Sequence, residues 1–169
     1  MLILETERLT LHEFSTGNAA FLLELMNTPG WLQFIGDRNI RSLADARHYL
    51  ETVLIPSYEQ HGFGFYSTRL KSTGTPIGIC GLVKRAMLSE TDIGFAFLPA
   101  YMGQGYAFEA ATAVAHFALN SLRLPLLLAI TEPENERSIR LLEKIGLHFE
   151  QSIHLADEDL LLFTTAKPG

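Results

Sequence analysis

The sequence predicts an α+β fold of mixed α/β type: one mixed, mostly antiparallel twisted sheet flanked by helices. Three observations predict it. Leu9 and Leu11, Phe63 and Phe65, and Ile93, Phe95 and Phe97 alternate with polar or small residues, the two-residue period of half-buried strands. Phe21, Leu22, Leu25 and Met26, and later Ile139, Leu142 and Ile145, recur at helical spacing. Between these sets the unbroken run Leu126-Leu127-Leu128-Ala129-Ile130 has the character of a central strand covered on both faces.

In chain order, Leu2 to Phe14 reads as a first strand. Asn18 is a plausible N-cap for the first helix, which Pro29-Gly30 stops. Trp31 to Arg41 has no period and reads as irregular. Ser42, with Asp45 three residues on, caps a second helix with Ala46, Tyr49, Leu50 and Val53 on its apolar stripe. Strands at Gly62–Leu70 and Pro76–Lys84 enclose the polar turn Lys71-Ser72-Thr73-Gly74-Thr75, as in an antiparallel hairpin, and a third strand from Thr91 to Leu98 adds to it. Pro99 stops that strand. An alanine-rich helix runs from about Gly105 to Leu119, a strand from Leu124 to Thr131, and a helix beyond Pro133 ends at Gly146 as its C′ residue, with Leu147 folding back. His148–Ile153 and Asp159–Thr165 close the chain as an antiparallel pair. The order is therefore strand, two helices, three strands, helix, strand, helix and two strands, which packs as a sheet with helices on its faces.

At 169 residues and 47% hydrophobic, the chain has the size and core of a single domain spanning 1–169. A net charge of −6 argues against binding the phosphate backbone of a nucleic acid and suits an amine-bearing partner. Cys80 is the sole cysteine, so no intrachain disulfide and no multi-cysteine metal site can form; it reads as a small buried residue. The six histidines lack ligand spacing, and no metal is expected. No apolar run approaches the ~20 residues of a membrane span, and Glu5 and Glu7 stand where a basic leader would. These features predict a soluble, cytoplasmic protein without a membrane partner. A homodimer is compatible with the sequence, which leaves the oligomeric state open.

The stretch Tyr101-Met102-Gly103-Gln104-Gly105-Tyr106-Ala107 joins a strand to a long helix. Paired glycines let its backbone turn tightly with N–H groups facing the same way, and the first turn of the helix adds unpartnered N–H groups at the positive end of its dipole. Strand, glycine turn and helix start together make a phosphate seat, although Gly-x-Gly at a helix start, taken alone, is also common as a mere tight connection. The spelling excludes two familiar seats: no Gly-Lys-Ser/Thr follows, and the third glycine of the dinucleotide fingerprint is missing.

This turn and its helix, together with Glu5-Thr6-Glu7-Arg8-Leu9-Thr10-Leu11, Asp92-Ile93-Gly94-Phe95 and the run Glu134 to Leu147, resemble the GNAT superfamily of acetyl-CoA-dependent N-acetyltransferases. The similarity spans nearly the whole chain, and is greatest to the branch that includes ribosomal-protein serine/alanine N-terminal acetyltransferases. The resemblance implies acetyl-CoA as cosubstrate, its pyrophosphate on the amides of Met102, Gly103, Gln104, Gly105, Tyr106 and Ala107. It implies that the pantetheine arm lies along Phe95, Ala96, Phe97 and Leu98, with a strand N–H polarising the thioester carbonyl, and that Asn135 and Ser138 face the pantetheine and the thioester. From residue type alone, Asn135 is equally a good N-cap.

Two departures bear on the chemistry. Met102 stands where the turn often begins with Arg or Gln, and Leu142 stands where many relatives carry a tyrosine that returns a proton to the thiolate. The branch resemblance makes Ser138 the substitute proton donor. An attacking amine must also lose a proton, and Asp92 is a candidate base, with Glu13, Asp37 and Glu90 as alternatives. For the acceptor, Trp31, Phe34 and Phe65 are candidate pocket walls or core residues. The acceptor itself stays open: a small-molecule amine (polyamine, amino acid or aminoglycoside) or a protein N-terminus. Two rival readings are a non-catalytic acyl-CoA sensor and a nucleotide-phosphate binder of another fold.

Overall fold

The computed structural model describes residues 1–167. Eight strands form one sheet in the order β1-β2-β3-β4-β5-β6-β8-β7. The strands are β1 Leu2–Glu5, β2 Leu9–Glu13, β3 Phe65–Leu70, β4 Pro76–Val83, β5 Asp92–Phe97, β6 Leu128–Thr131, β7 His148–Leu155 and β8 Glu158–Thr164. Every neighbouring pair is antiparallel except β5 and β6, which run parallel. The helices are α1 Ala19–Leu25, α2 Pro29–Phe34, α3 Leu43–Tyr49, α4 Ile55–His61, α5 Tyr106–His116 and α6 Glu136–Lys144. The mixed, mostly antiparallel sheet flanked by helices is thus the fold the sequence predicts.

The two faces are covered by different helices because successive side chains of a strand point opposite ways. Ile93, Phe95 and Phe97 pack with Leu9, Leu11, Tyr66 and Cys80 against Ala110, Ala111 and Val114 of α5 and Leu142 of α6. The small residues of α5 bring that helix close to the sheet. Ala96 and Leu98 face the other way, where Phe21, Leu22, Leu25, Trp31, Ala46 and Leu50 of the N-terminal helices cover Ile79. Leu88 and Leu162 cover Leu128 on that same side, so β6 is buried on both faces.

Four elements differ from the sequence reading. The expected first strand is a hairpin: the Thr6 N–H donates to Leu9 O at 2.9 Å, and the Leu9 N–H donates to Thr6 Oγ1 at 3.1 Å, closing a turn that apolar alternation does not register. Trp31 lies in a helix, because Pro29 is the opening residue of α2 and not the stop of α1; its missing N–H costs nothing at that position, and Thr28 Oγ1 accepts from the Trp31 N–H at 3.4 Å. The helix capped by Ser42 continues through a wide π turn, Leu50–Leu54, into α4. That turn sits just ahead of Pro56, which has no N–H to give to a regular helical ladder. Finally, β6 begins at Leu128 and not at Leu124, since the Leu124 N–H is tied back to Ala118 O at 3.0 Å.

The pairing that positions the site is the shortest in the sheet. β5 and β6 share one registered pair, Asp92 with Leu128, and the Leu128 N–H donates to Thr91 O at 3.0 Å. Beyond it the strands diverge, β6 staying on β8 through Thr131 and β5 staying on β4 through Phe97. Asp92 marks the closed end of this wedge. It is 1% exposed, and Arg85 Nε donates to its carboxylate at 3.2 Å. Burial lifts the Asp92 carboxyl to about 6 from an ordinary 3.8, against the pull of Arg85. The folded chain therefore retains a proton that the unfolded chain has released, and stability falls as pH rises from about 4 to about 6, then levels off. In Asp92→Asn this slope disappears. Unfolding measured from pH 3.5 to 7 should show the wild type losing about 2–3 kcal/mol relative to the variant.

Candidate active site

The wedge leaves main-chain groups without strand partners. The Leu98 N–H donates to Ile77 O at 2.9 Å, so the even-numbered residues of β5 direct their N–H and C=O groups to β4. Those of Ile93, Phe95 and Phe97 turn toward β6; the parallel bridge of Asp92 with Leu128 engages the Ile93 N–H, and past it no register partner meets Phe95 or Phe97. Buried main-chain groups need partners. The free groups of Phe95 and Phe97 form a half-built ladder, ready for an extended ligand carrying amide donors and acceptors. Of the four residues the sequence assigns to this stretch, Phe95 and Phe97 present main chain to the wedge, while Ala96 spends its main chain on Ile79 and Leu98 on Ile77.

β5 and β6 are each followed by a helix on the same face, α5 and α6, so both helix N-termini flank the open end of the wedge. This is the carboxyl end of the parallel pair, where crevices of α/β sheets form. The glycine turn lies there. Gly103 (φ +75°) and Gly105 (φ +84°) occupy left-handed backbone that a side chain disfavours, and Gly105 is the N-cap of α5. Met102, Gly103, Gln104 and Gly105 are exposed, while Tyr106 and Ala107 are half-buried in the first turn. These exposed amides stand at the positive end of an eleven-residue helix, where an anion is expected from the sequence.

On the other side of the opening, Asn135 is the N-cap of α6, its Oδ1 accepting from the Ser138 N–H at 3.2 Å. The capping role that its residue type allows is therefore real. The Ser138 side chain is half-buried, and its hydroxyl has no protein partner among the described residues. Leu142, one turn further on, is 1% exposed and fills the core.

The candidate bases are scattered. Asp92 stands at the closed end, roughly 17 Å along the strand from Phe97, and is held by Arg85. Asp37 is exposed and paired with Arg41, which keeps its carboxyl below the ordinary range. Glu90 lies in the β4–β5 connection. Glu13 is three strands away across Tyr66, Cys80 and Phe95, about 14 Å.

The aromatic candidates separate by burial. Trp31 is part of the core under the N-terminal helices, and Phe34 at the end of α2 is half-buried. Phe65 is half-buried at the start of β3, and its ring lies over Gly94: a Cβ on Gly94 would come within 3.0 Å of it. The Tyr58 hydroxyl donates to Phe65 O while accepting from the Phe14 N–H at 2.9 Å, which fixes this end of β3. Phe65 is thus the aromatic placed beside the open part of β5, on the face away from α5. Cys80 is fully buried, and burial pushes its thiol up. No three His, Cys, Asp or Glu side chains cluster as a metal site among the described residues, and no helix there is long and apolar enough to cross a membrane.

One part of the site escapes residue-by-residue reading. The β1–β2 turn lies against the first turn of α5. Glu109 accepts from the Thr6 hydroxyl, from the Arg8 N–H at 2.8 Å and from Arg8 Nε at 2.7 Å. Burial pulls the Glu109 carboxyl upward, but these hydrogen bonds outweigh it and hold it below the ordinary glutamate value. The Arg8 guanidinium also donates to Gln104 O at 3.0 Å and covers the Tyr106 ring at 4.3 Å. A hundred residues separate these partners, and no local pattern links them.

Comparison with known proteins agrees with this geometry. Residues 8–148 match the family model for the acetyltransferase (GNAT) domain. A Bacillus subtilis protein described as an uncharacterized N-acetyltransferase, YoaA, is 27% identical over 150 residues, covering 88% of this chain and 84% of its own. The crystal structure of an acetyltransferase from Agrobacterium tumefaciens superposes with a TM-score of 0.83 at 26% identity, over 97% of this chain and 94% of that one. RimL, a ribosomal L7/L12 α-N-protein acetyltransferase solved with coenzyme A, shares the fold with a TM-score of 0.81 at 14% identity, over 97% of each chain. With the parallel wedge, the glycine turn at its mouth and a family match across most of its length, the chain belongs to the GNAT family of acetyltransferases.

Proposed function

We propose that this acetyltransferase moves an acetyl group from acetyl-CoA to a primary amine by direct attack, without an acetylated enzyme. The observation that carries the reading is the free main-chain edge of Phe95 and Phe97, which runs out beside the glycine turn. Pantetheine carries two amides and is bound through that edge, while the diphosphate rests on the amides from Met102 to Ala107. The family supports acetyl-CoA as the donor, and RimL, with the same fold, was solved with coenzyme A.

The residues then divide the work. A main-chain N–H of the β5 edge donates to the thioester oxygen as negative charge develops on it, a contribution worth ~10²–10³ in rate for one well-aimed donor. Bond formation from nitrogen to the carbonyl carbon and loss of the sulfur leave a thiolate, which is protonated through the Ser138 hydroxyl, directly or through water, as that oxygen takes up the proton the amine has released to ordered water. Ser138 suits this because its oxygen is free of protein partners while its N–H is held by Asn135. Asp92, Glu13 and Glu90 stand away from the open edge and Asp37 is engaged by Arg41, so we assign the amine's proton to ordered water and none of the four to a direct base role. The acceptor enters from the face opposite α5, past Phe65. A protein or peptide α-amine is the acceptor we place first, on the resemblance of the sequence to the ribosomal-protein acetyltransferase branch.

Incubation with acetyl-CoA and a panel of peptides, polyamines, amino acids and aminoglycosides should give thiol release and an acetylated peptide N-terminus. CoA binding without any acetylated acceptor would instead identify an acyl-CoA sensor. Gly105→Val places a branched side chain at φ +84°, and a Cβ there already lies 3.2 Å from Arg8 Nη2. Calorimetric titration should find CoA binding weakened at least ~30-fold, with a lower unfolding midpoint from ~1–2 kcal/mol of backbone strain. Ser138→Ala should lower kcat by ~10²-fold and leave KM for acetyl-CoA within about twofold; equal losses in both would make Ser138 a binding residue.

A further inference from the structure

We infer that Arg8 is a positioning residue for the cosubstrate: it locks the peptide between Gln104 and Gly105 in the orientation that seats the diphosphate. The inference rests on the CoA placement proposed above and concerns what makes the seat competent.

In a trans peptide the C=O and the following N–H point in opposite directions. The Arg8 guanidinium holds Gln104 O at 3.0 Å on the side of the β1–β2 turn, so the Gly105 N–H is directed to the other side. Without such a hold this peptide would rotate easily. It ends in one left-handed glycine and follows another, and glycine adopts positive and negative φ about equally well. A rotated peptide would put a carbonyl oxygen where an anion needs a donor. The Gln104 side chain does not supply the hold, since its Nε2 reaches back to Ala100 O at 3.0 Å.

Arg8 commits most of its donors to protein groups. Its Nε and main-chain N–H are both on Glu109, its plane covers Tyr106 and Nη1 is on Gln104 O, while Nη2, with no protein partner among the described residues, lies 3.2 Å from where a Gly105 Cβ would stand. The pairing serves a second purpose. Glu109 is an acidic residue in the first turn of α5, beside the seat, and would repel a diphosphate if uncompensated. Arg8 neutralises it. Met102 leaves the turn without a cation of its own, so the charge balance of the seat comes from a hairpin at the opposite end of the sequence.

The test compares acetyl-CoA with S-acetyl-pantetheine, which has the thioester and the amides but no diphosphate, in the full-length wild type, Arg8→Ala and Arg8→Lys, with unfolding midpoints recorded alongside. Arg8→Ala should raise KM for acetyl-CoA roughly tenfold with kcat little changed, the loss expected of one charge-assisted hydrogen bond. Its kcat/KM for S-acetyl-pantetheine should stay within about twofold of wild type. Arg8→Lys, which keeps the charge without the fork, should recover the acetyl-CoA KM only in part. Equal losses on both donors would make Arg8 a residue of the fold alone, and full recovery by lysine would mean that charge suffices; either overturns the peptide lock. A wild type that uses neither donor would instead remove the acetyl-transfer reading beneath it.

Discussion

The structure depends on one constraint: two parallel neighbours, β5 and β6, are hydrogen-bonded at one end and forced apart at the other. Each is held elsewhere, β5 by six registered pairs with β4 and β6 by four with β8. Their shared contact is limited to Asp92 and Leu128. The outer partners therefore win, and the edge between the two strands stays open beyond that point. An unmet ladder inside a sheet is costly unless something else pairs with it. The divergence thus leaves the main-chain groups of Phe95 and Phe97 as the unmet part of the sheet.

The helices follow from the same opening. A chain leaving β5 or β6 at its carboxyl end must turn onto the face to reach the next strand, so α5 and α6 both start at the mouth of the wedge. Their N-termini bring unpartnered N–H groups and the positive ends of two dipoles to one place. Alanines at 110, 111 and 115 set α5 close against the sheet, and the left-handed glycines at 103 and 105 make the connection short enough to keep those amides together. On the opposite face, covered by α1–α4, Gly94 leaves space for the Phe65 ring next to the open strand. Donor and acceptor would in this way approach the same edge from opposite faces.

Much of this was legible in the chain. Strand alternation, the alanine-rich helix and the glycine turn are local patterns, and the local physics of side-chain spacing and backbone freedom was sufficient to read them. At Thr6 and Pro29 the structure departs from the sequence pattern for reasons equally local: a hydroxyl closing a turn on Leu9, and a proline that begins a helix as readily as it ends one. Burial was harder. Asp92 presents itself in sequence as a polar residue on a strand, and its isolation beside Arg85 at the closed end depends on packing from several elements. Trp31 was ambiguous for the same reason, since an aromatic ring serves a pocket or a core equally well until its neighbours are known.

By itself the sequence determined the fold class and the family, because each rests on local patterns in a fixed order along the chain: Ile93 to Phe97 as a strand, Met102 to Ala107 as a glycine turn, Ile139 to Ile145 as an amphipathic helix. Only the tertiary structure decided which main-chain groups of β5 are free, that Asn135 caps α6, and that Arg8, Thr6 and Glu109 meet at the glycine turn. Those are relations between segments up to a hundred residues apart. They are set by which strands pair and where pairing stops, a competition among partners that no single segment carries.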